Sequence, residues 1–351
     1  MPEIESLDLN KQSVKIKWQN FLKKRGISNF ADNEITNIDT TIGLFEANSL
    51  IATGSIAGNV IKYVAVENET NESKGALFNK IVSALVSCLA NQGIFHIFVF
   101  TKPEYSKTFE HVGFSLLATS EKGVILEKGM PDINSYLMAI NASSKLENKK
   151  IASIVMNANP FTKGHRFLVE QAALENDLVY VFVVEQDVSL FTTNERVKLV
   201  KQGVSDLTNV KVVLGGPYMV SFVTFPAYFI NSPIDIIDYQ TTLDAQIFKN
   251  WVVPQLKITS RYLGCEPFSK TTKRYNEILQ QQLSDVISIK IIERKMIDAQ
   301  IISATKIRLA IKETDLLLIK ELVPLTTFKF IKNNLNILQE RIQKGQKING
   351  N

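Results

Sequence analysis

A two-domain α/β protein is the fold class this sequence predicts, on three features of the chain. From Ile151 onward, short apolar runs alternate with helical patterns, whereas before it strand-like runs gather around one long helical pattern. Between the two regimes lies a charged stretch, Lys145-Leu146-Glu147-Asn148-Lys149-Lys150. Short apolar runs bounded by turn residues read as strands, and helical periodicity reads as helix. The 351 residues, 45% hydrophobic and 21% charged, are enough for more than one core, and length alone predicts about two domains.

In the first half, Thr41–Phe45, Val60–Val66, Ile94–Phe100 and Gly123–Glu127 have strand character, and Lys74–Gln92 is helical. One helix among several strands predicts an α/β or α+β domain whose sheet leans antiparallel. The sequence therefore places a first domain at 1–135, a linker at 136–150, a second domain at 151–340 and a polar, glycine-containing, frayed tail at 341–351.

In the second half the alternation is regular. Strands are predicted at Ile151–Met156, Leu178–Val184, Val210–Leu214, Lys257–Leu263 and Val286–Ile292. Between them fall helices from Gly164, at Asn194–Val204, near Leu243–Trp251 and at Thr271–Gln282, with a last helix from Ser303. Such βαβ succession implies a parallel sheet with right-handed crossovers and helices on both faces. Ligands of such sheets sit at the carboxyl ends of the strands.

Two stretches at strand ends are suited to phosphate. Met156-Asn157-Ala158-Asn159-Pro160-Phe161-Thr162-Lys163-Gly164-His165 leads an apolar strand through a polar turn into a helix. Gly164 allows close backbone approach, His165 supplies a donor in the first turn, and the helix start presents unpaired N–H groups to an anion. Downstream, Ile302-Ser303-Ala304-Thr305-Lys306-Ile307-Arg308 offers Ser303 as N-cap. Thr305 and Arg308, three apart, share a helical face, so a hydroxyl and a guanidinium face the same polyphosphate. Asn157 and Asn159 either close the turn or contact the ligand.

Composition narrows the function classes. The net charge of +5 comes from dispersed lysines, whereas nucleic-acid binding needs a clustered basic stripe. Cys88 and Cys265 are the only cysteines, which supports neither a disulfide framework nor a thiolate metal site; a reducing cytoplasm fits. The longest apolar stretch, around Tyr218 to Ile230, is interrupted by Ser221, Thr224 and Pro226 and is too short for a membrane span. The N-terminus is polar and acidic, unlike a cleavable signal.

Thr162-Lys163-Gly164-His165 and Ile302–Arg308 resemble the (H/T)xGH and ISSTxxR signatures of the nucleotidyltransferase superfamily. The longer run Val155 to Arg166, with Gly215-Gly216-Pro217-Tyr218 and Glu266-Pro267-Phe268-Ser269, is similar to the citrate lyase ligase family, and the likeness extends to Phe98–Pro103 and Phe109–Phe114. The resemblance implies a GNAT-like N-terminal α/β domain followed by a Rossmann-like nucleotidyltransferase domain. It also implies ATP as a substrate and acetate as the acid, with the acyl carrier subunit of citrate lyase as partner. Mg²⁺ is expected to accompany the highly charged pyrophosphate. In this reading His165, Thr162 and Arg308 are catalytic, and Asn157, Asn159, Phe161, Gly164, Ser303 and Thr305 complete the nucleotide site; no residue is assigned to a metal. Asn71-Glu72-Ser73-Lys74-Gly75-Ala76 lacks the basic residue and one glycine of the acetyl-coenzyme A turn of GNAT proteins. The first half is therefore expected to recognise a partner or a coenzyme-A-like group, or to be structural, and not to transfer acetyl groups. Two enzymatic alternatives stay open: a related ligase for the acyl carrier of malonate decarboxylase, and an adenylyltransferase of cofactor synthesis.

Overall fold

The computed structural model describes residues 3–67, 74–141, 147–185, 189–219, 225–265, 270–293, 296–297, 300–346 and 348. The chain divides into two units, Met1–Tyr136 with Thr224–Ile247, and Leu137–Val223 with Phe248–Asn351.

The first unit holds β1 (Glu3–Ser6), α1 (Gln12–Lys23), α2 (Asp32–Ile35), β2 (Thr40–Glu46), β3 (Ser49–Ala57) and β4 (Val60–Val66). It continues with α3 (Lys74–Asn91), β5 (His96–Thr101), α4 (Ser106–His111), β6 (Ser115–Thr119) and β7 (Val124–Gly129), and α5 (Ile133–Asn141) contains the unit boundary. The seven strands form one mixed sheet in the order β1-β2-β3-β4-β5-β7-β6. Every neighbouring pair is antiparallel except β4 and β5, whose parallel pairing stops after Val60 with Phe98 and Ile61 with Val99. Helix α3 buries Leu77, Phe78, Ile81, Val82, Leu85 and Leu89, a spacing that puts them on one stripe against Ile42, Leu44, Ile61 and Leu126 of the sheet.

The second unit is built on β8 (Ile151–Met156), α6 (Lys163–Glu175), β9 (Leu178–Val183), α7 (Thr193–Gly203) and β10 (Val210–Leu214). After α8 (Pro233–Ile247), which belongs to the first unit, come α9 (Val253–Leu256), β11 (Ser260–Gly264), α10 (Lys270–Leu283) and β12 (Ser288–Ile292). The hairpin β13 (Met296–Ile297) and β14 (Gln300–Ile301) leads into helices α11 (Ala304–Glu313), α12 (Leu316–Leu322), α13 (Leu325–Asn333) and α14 (Leu335–Gln343). The sheet order is β10-β9-β8-β11-β12, parallel throughout. Because β8 is central, the chain leaves it toward β9 on one side and later returns to β11 on the other. The loop after β8 thus lies at the reversal point where parallel sheets open a crevice.

Several boundaries differ from the sequence reading. The segment Thr224–Ile247, expected in the second domain, belongs to the first unit. It is held there by the Ala227 N–H donating to Glu34 Oε1 at 2.9 Å, the Tyr228 hydroxyl donating to the Phe100 carbonyl at 2.6 Å, and Asn29 Nδ2 donating to the Ala227 and Ile230 carbonyls. Glu34 in turn is ion-paired with buried Lys62 at 2.6 Å. The helix expected near Leu243–Trp251 begins at Pro233 and passes into a π turn over Phe248–Val252. The expected linker carries α5, and the expected tail begins inside α14, where Arg341 pairs with Glu195 at 2.7 Å. Strands β1, β3 and β6 were absent from the sequence reading.

Phe161 and Gly203 show how tightly the loop after β8 is set. Phe161 is fully buried, and a Cβ on Gly203 would lie 2.4 Å from its ring. Replacing glycine by alanine in a helix gains at most about 1 kcal/mol, while overpacking a core costs about 1–3 kcal/mol. Gly203→Ala is expected to lower the thermal midpoint of the chain in calorimetry; a raised midpoint would mean that Phe161 has room to move.

Candidate functional site

The first phosphate-suited stretch forms as expected and is held by reciprocal capping. Thr162 is the N-cap of α6: its hydroxyl accepts from the His165 N–H at 3.1 Å, and its own N–H donates to His165 Nδ1 at 3.1 Å. A backbone N–H only donates, so Nδ1 is an acceptor and the ring proton of the neutral imidazole sits on Nε2. The ring lies nearly parallel to that of Phe161, with centroids 5.9 Å apart. His165 is thereby fixed as an Nε2–H donor in the first turn of a 13-residue helix. Thr162 is 2% exposed and its oxygen also lies 3.0 Å from His165 Nδ1, which makes it the residue that orients His165.

Gly164 owes nothing to space inside the protein. An added Cβ would meet Thr162 Oγ1 at 3.4 Å and Ile302 at 3.6 Å, ordinary contacts, and its φ is not left-handed. The same contact shows that the second stretch lies against the first, since Ile302 immediately precedes the N-cap of α11.

Ser303 caps α11, accepting from the Lys306 N–H at 3.2 Å. Thr305 and Arg308 do share a face: Arg308 Nη2 donates to Thr305 Oγ1 at 3.0 Å. The same guanidinium crosses to the loop after β8, where Nη1 donates to the Asn159 carbonyl at 2.5 Å, and its Nε donates to the Ile348 carbonyl at 2.7 Å. Arg308 is 2% exposed. Burial pulls its guanidinium down to about 10, which leaves it a cation at neutral pH.

The two asparagines differ. Asn159 is buried, with Oδ1 accepting from the Phe191 N–H at 3.1 Å and its carbonyl held by Arg308. Asn157 is partly exposed, and its Oδ1 accepts from Arg196 Nη1 at 2.8 Å. Arg196 is the residue sequence reasoning missed. The capping box Thr192/Glu195 announces the start of α7, yet nothing in the local pattern says that the next residue turns inward and is fully buried. Glu266–Ser269, quoted in the sequence reading, lie outside the described residues.

In the first unit, where β4 and β5 part, there is a cavity of about 580 Å³. Val64, Ala65 and Val66 of β4, Phe78, Phe109 and Tyr105 line it, and Lys24, Arg25, Lys74 and Gly75 also border it. Arg25 is paired with Glu67. Asn71, Glu72 and Ser73 lie outside the described residues. Among the described residues, no three His, Cys, Asp or Glu side chains gather as a metal cluster, and no helix is long and apolar enough to cross a membrane.

Residues 151–331 match the family model of the citrate lyase ligase C-terminal domain. The citrate (pro-3S)-lyase ligase of Escherichia coli (strain K12) is 34% identical over 334 residues, covering 92% of this chain and 94% of that protein. Those of Haemophilus influenzae and Klebsiella pneumoniae are 31% and 33% identical, over 83% and 80% of this chain and 88% and 83% of theirs. With likeness at this level running through both units, the chain belongs to the citrate lyase ligase family.

Proposed function

We propose that this chain is an AMP-forming acid–thiol ligase that acetylates the acyl carrier subunit of citrate lyase and so activates that lyase. In the first step a carboxylate oxygen of acetate attacks the α-phosphorus of ATP, the bond to the β-phosphate oxygen breaks, and pyrophosphate leaves acetyl-adenylate behind. In the second, the thiolate of the carrier's prosthetic group attacks the acetyl carbon, forming the thioester and releasing AMP. The observation that carries this reading is the adjacency of two helix N-termini, α6 and α11, joined by Arg308 on Asn159 and by Ile302 beside Gly164.

A carboxylate is already an anion and needs no general base; it needs alignment, which supplies roughly 7–11 kcal/mol of a barrier, and neutralisation of the charge on phosphorus. His165 Nε2–H is the donor assigned to the α-phosphate, assisted by the amide of Gly164. Thr162 has no part in proton transfer here, being the group that fixes the imidazole. Arg308, with Thr305 and Ser303 at the start of α11, is assigned to the β- and γ-phosphates. Its guanidinium is engaged with protein oxygens, so phosphate oxygens would take over one of those contacts, the Ile348 carbonyl being the one outside both motifs. The described residues hold no side-chain cluster fitted to Mg²⁺, and in this reading the ion comes bound to the triphosphate; no step is assigned to it. The cavity where β4 and β5 part is assigned to a coenzyme-A-like group, which its apolar lining and the lysines Lys24 and Lys74 at its border favour, while Glu104 also borders it. The proposed setting is cytoplasmic, without nucleic acid or membrane.

Acetate-dependent pyrophosphate release from ATP, with and without deacetylated citrate lyase, tests the assignment. The ligase reading predicts dependence on acetate and reactivation of the lyase. A ligase for the malonate decarboxylase carrier would release pyrophosphate without reactivating citrate lyase, and a cofactor adenylyltransferase would require a phosphorylated substrate in place of acetate. In the same assay His165→Ala is expected to lower kcat by about 10²–10³; unchanged turnover would contradict the role given to Nε2–H. Gly164→Ala is expected to leave the thermal midpoint unchanged or slightly raised, because alanine favours helix by up to about 1 kcal/mol, while weakening ATP binding at least tenfold by about the size of one lost charged hydrogen bond. Equal ATP affinity in calorimetry would show that no phosphate approaches that backbone.

A further inference from the structure

The oxygens that hold Arg308 differ in standing. Nη1 donates to the Asn159 carbonyl at 2.5 Å and Nη2 to Thr305 Oγ1 at 3.0 Å, both within the two phosphate-suited stretches. Nε donates to the Ile348 carbonyl at 2.7 Å, which belongs to neither stretch and comes from the chain that follows α14.

The end of α14 sets up that contact. Gly345 has a φ of 96°, in the left-handed region that glycine adopts at least cost. Its N–H donates to the Ile342 carbonyl at 3.1 Å, and the Gln346 N–H donates to the Arg341 carbonyl at 3.0 Å. These are the two bonds of a Schellman turn, which ends a helix and redirects the chain. Helix α14 is itself tied on two sides. Arg341 Nη1 donates to the Leu190 carbonyl at 3.1 Å and pairs with Glu195 at 2.7 Å, while Gln339 Nε2 donates to the Ile311 carbonyl at 3.0 Å and to Thr314 Oγ1 at 2.9 Å. The turn is thus fixed against α7 and α11, and shortly beyond it the Ile348 carbonyl reaches Arg308.

Nε and Nη2 form the side edge of the planar guanidinium, whose parallel N–H bonds fit two oxygens of one phosphate. Nη1 is committed to the buried loop after β8. Thr305 can stay in place, since a hydroxyl that accepts from Nη2 still has a proton to give to phosphate. The Ile348 carbonyl cannot. Nε carries a single N–H, and a carbonyl has no proton to offer a phosphate oxygen, so the two oxygens compete for one donor.

We propose that the residues after α14 make an autoinhibitory contact: the Ile348 carbonyl stands in for a phosphate oxygen on Arg308, and a bound triphosphate displaces it. The proposal rests on the nucleotide-site reading above and adds that ATP binding releases the C-terminal residues. Between turnovers the same carbonyl keeps Nε of a buried cation bonded, which burial without a partner would penalise.

The full-length chain, a chain stopped after Gln346 and full-length Lys347→Gln form the test, read by calorimetric titration with ATP. The stop keeps the Gln346 bond that closes α14 and removes Ile348, and Lys347→Gln measures separately the positive charge that the stop also removes. Relative to Lys347→Gln, the stopped chain is expected to bind ATP about fivefold more tightly, the scale of one net hydrogen bond. Digestion of the full-length chain with trypsin gives a second reading. Saturating ATP is expected to speed cleavage after Lys347, followed by mass spectrometry of the released Ile348–Asn351. ATP affinity in the stopped chain equal to or below that of Lys347→Gln, or cleavage slowed or unaltered by ATP, would overturn the proposal. Absence of ATP binding in the full-length chain would instead remove the nucleotide-site reading, and the proposal with it. If the stopped chain does not fold, digestion of the full-length chain alone decides.

Discussion

Placing β8 in the middle of a parallel sheet forces the chain to leave it in one direction and return on the other side, and the loop that follows β8 lies where the two directions part. That loop has carbonyls and amide oxygens at Asn157 and Asn159 which, once removed from water, need donors. Two buried arginines supply most of them, Arg196 to the carbonyl and Oδ1 of Asn157 and Arg308 to the carbonyl of Asn159, and the Phe191 N–H serves Asn159 Oδ1. The Arg308 contact is also what brings α11 to α6. Ile302 beside Gly164 joins the same two helix starts a second time.

From that constraint the roles of the motif residues separate. Thr162 and the backbone settle the imidazole of His165 into one tautomer, with its ring proton on Nε2. Gly164 stands where the protein leaves space for a side chain, so packing within the protein does not require a glycine there. Asn159 and Phe161 are buried and work by holding the loop. For an acid that arrives ionised, this division is economical: the reaction asks for position and positive potential, which capped helix starts and buried cations provide without titrating.

The core strands β8 and β9 were legible because they are short apolar runs covered on both faces, and the helices around them because their apolar residues keep one stripe. Strand β3 was not. Its residues, Ser49 to Ala57, include serines, alanines and a glycine that strand propensity disfavours or ignores, yet the hydroxyls of Thr53 and Ser55 are buried because they find partners inside the sheet: Thr53 on the Ile42 carbonyl at 2.8 Å and Ser55 with Thr41 at 2.8 Å. Gly54 is required there by Leu85, which a Cβ would meet at 2.5 Å. The segment around Tyr228 was assigned to the wrong neighbour for a similar reason. Its aromatic residues do read as core, and Tyr228 is buried, but which core they join depends on Tyr63 and Glu34 far upstream. At the candidate site, Gly164, His165, Thr305 and Arg308 were visible as motifs, and Ser303 as a cap. Arg196 was not visible, since an arginine in the second turn of a polar helix looks like any solvated one until its acceptors, all supplied by the fold, are known.

The claim on which the account depends is that one triphosphate lies between the starts of α6 and α11. A crystal structure of the full-length chain with a non-hydrolysable ATP analogue measures this directly. The account predicts the α-phosphate within hydrogen-bond distance of His165 Nε2 and of the amide of Gly164, with the terminal phosphates at Thr305 and Arg308. A nucleotide bound elsewhere, with His165 and Arg308 keeping only protein partners, would contradict it.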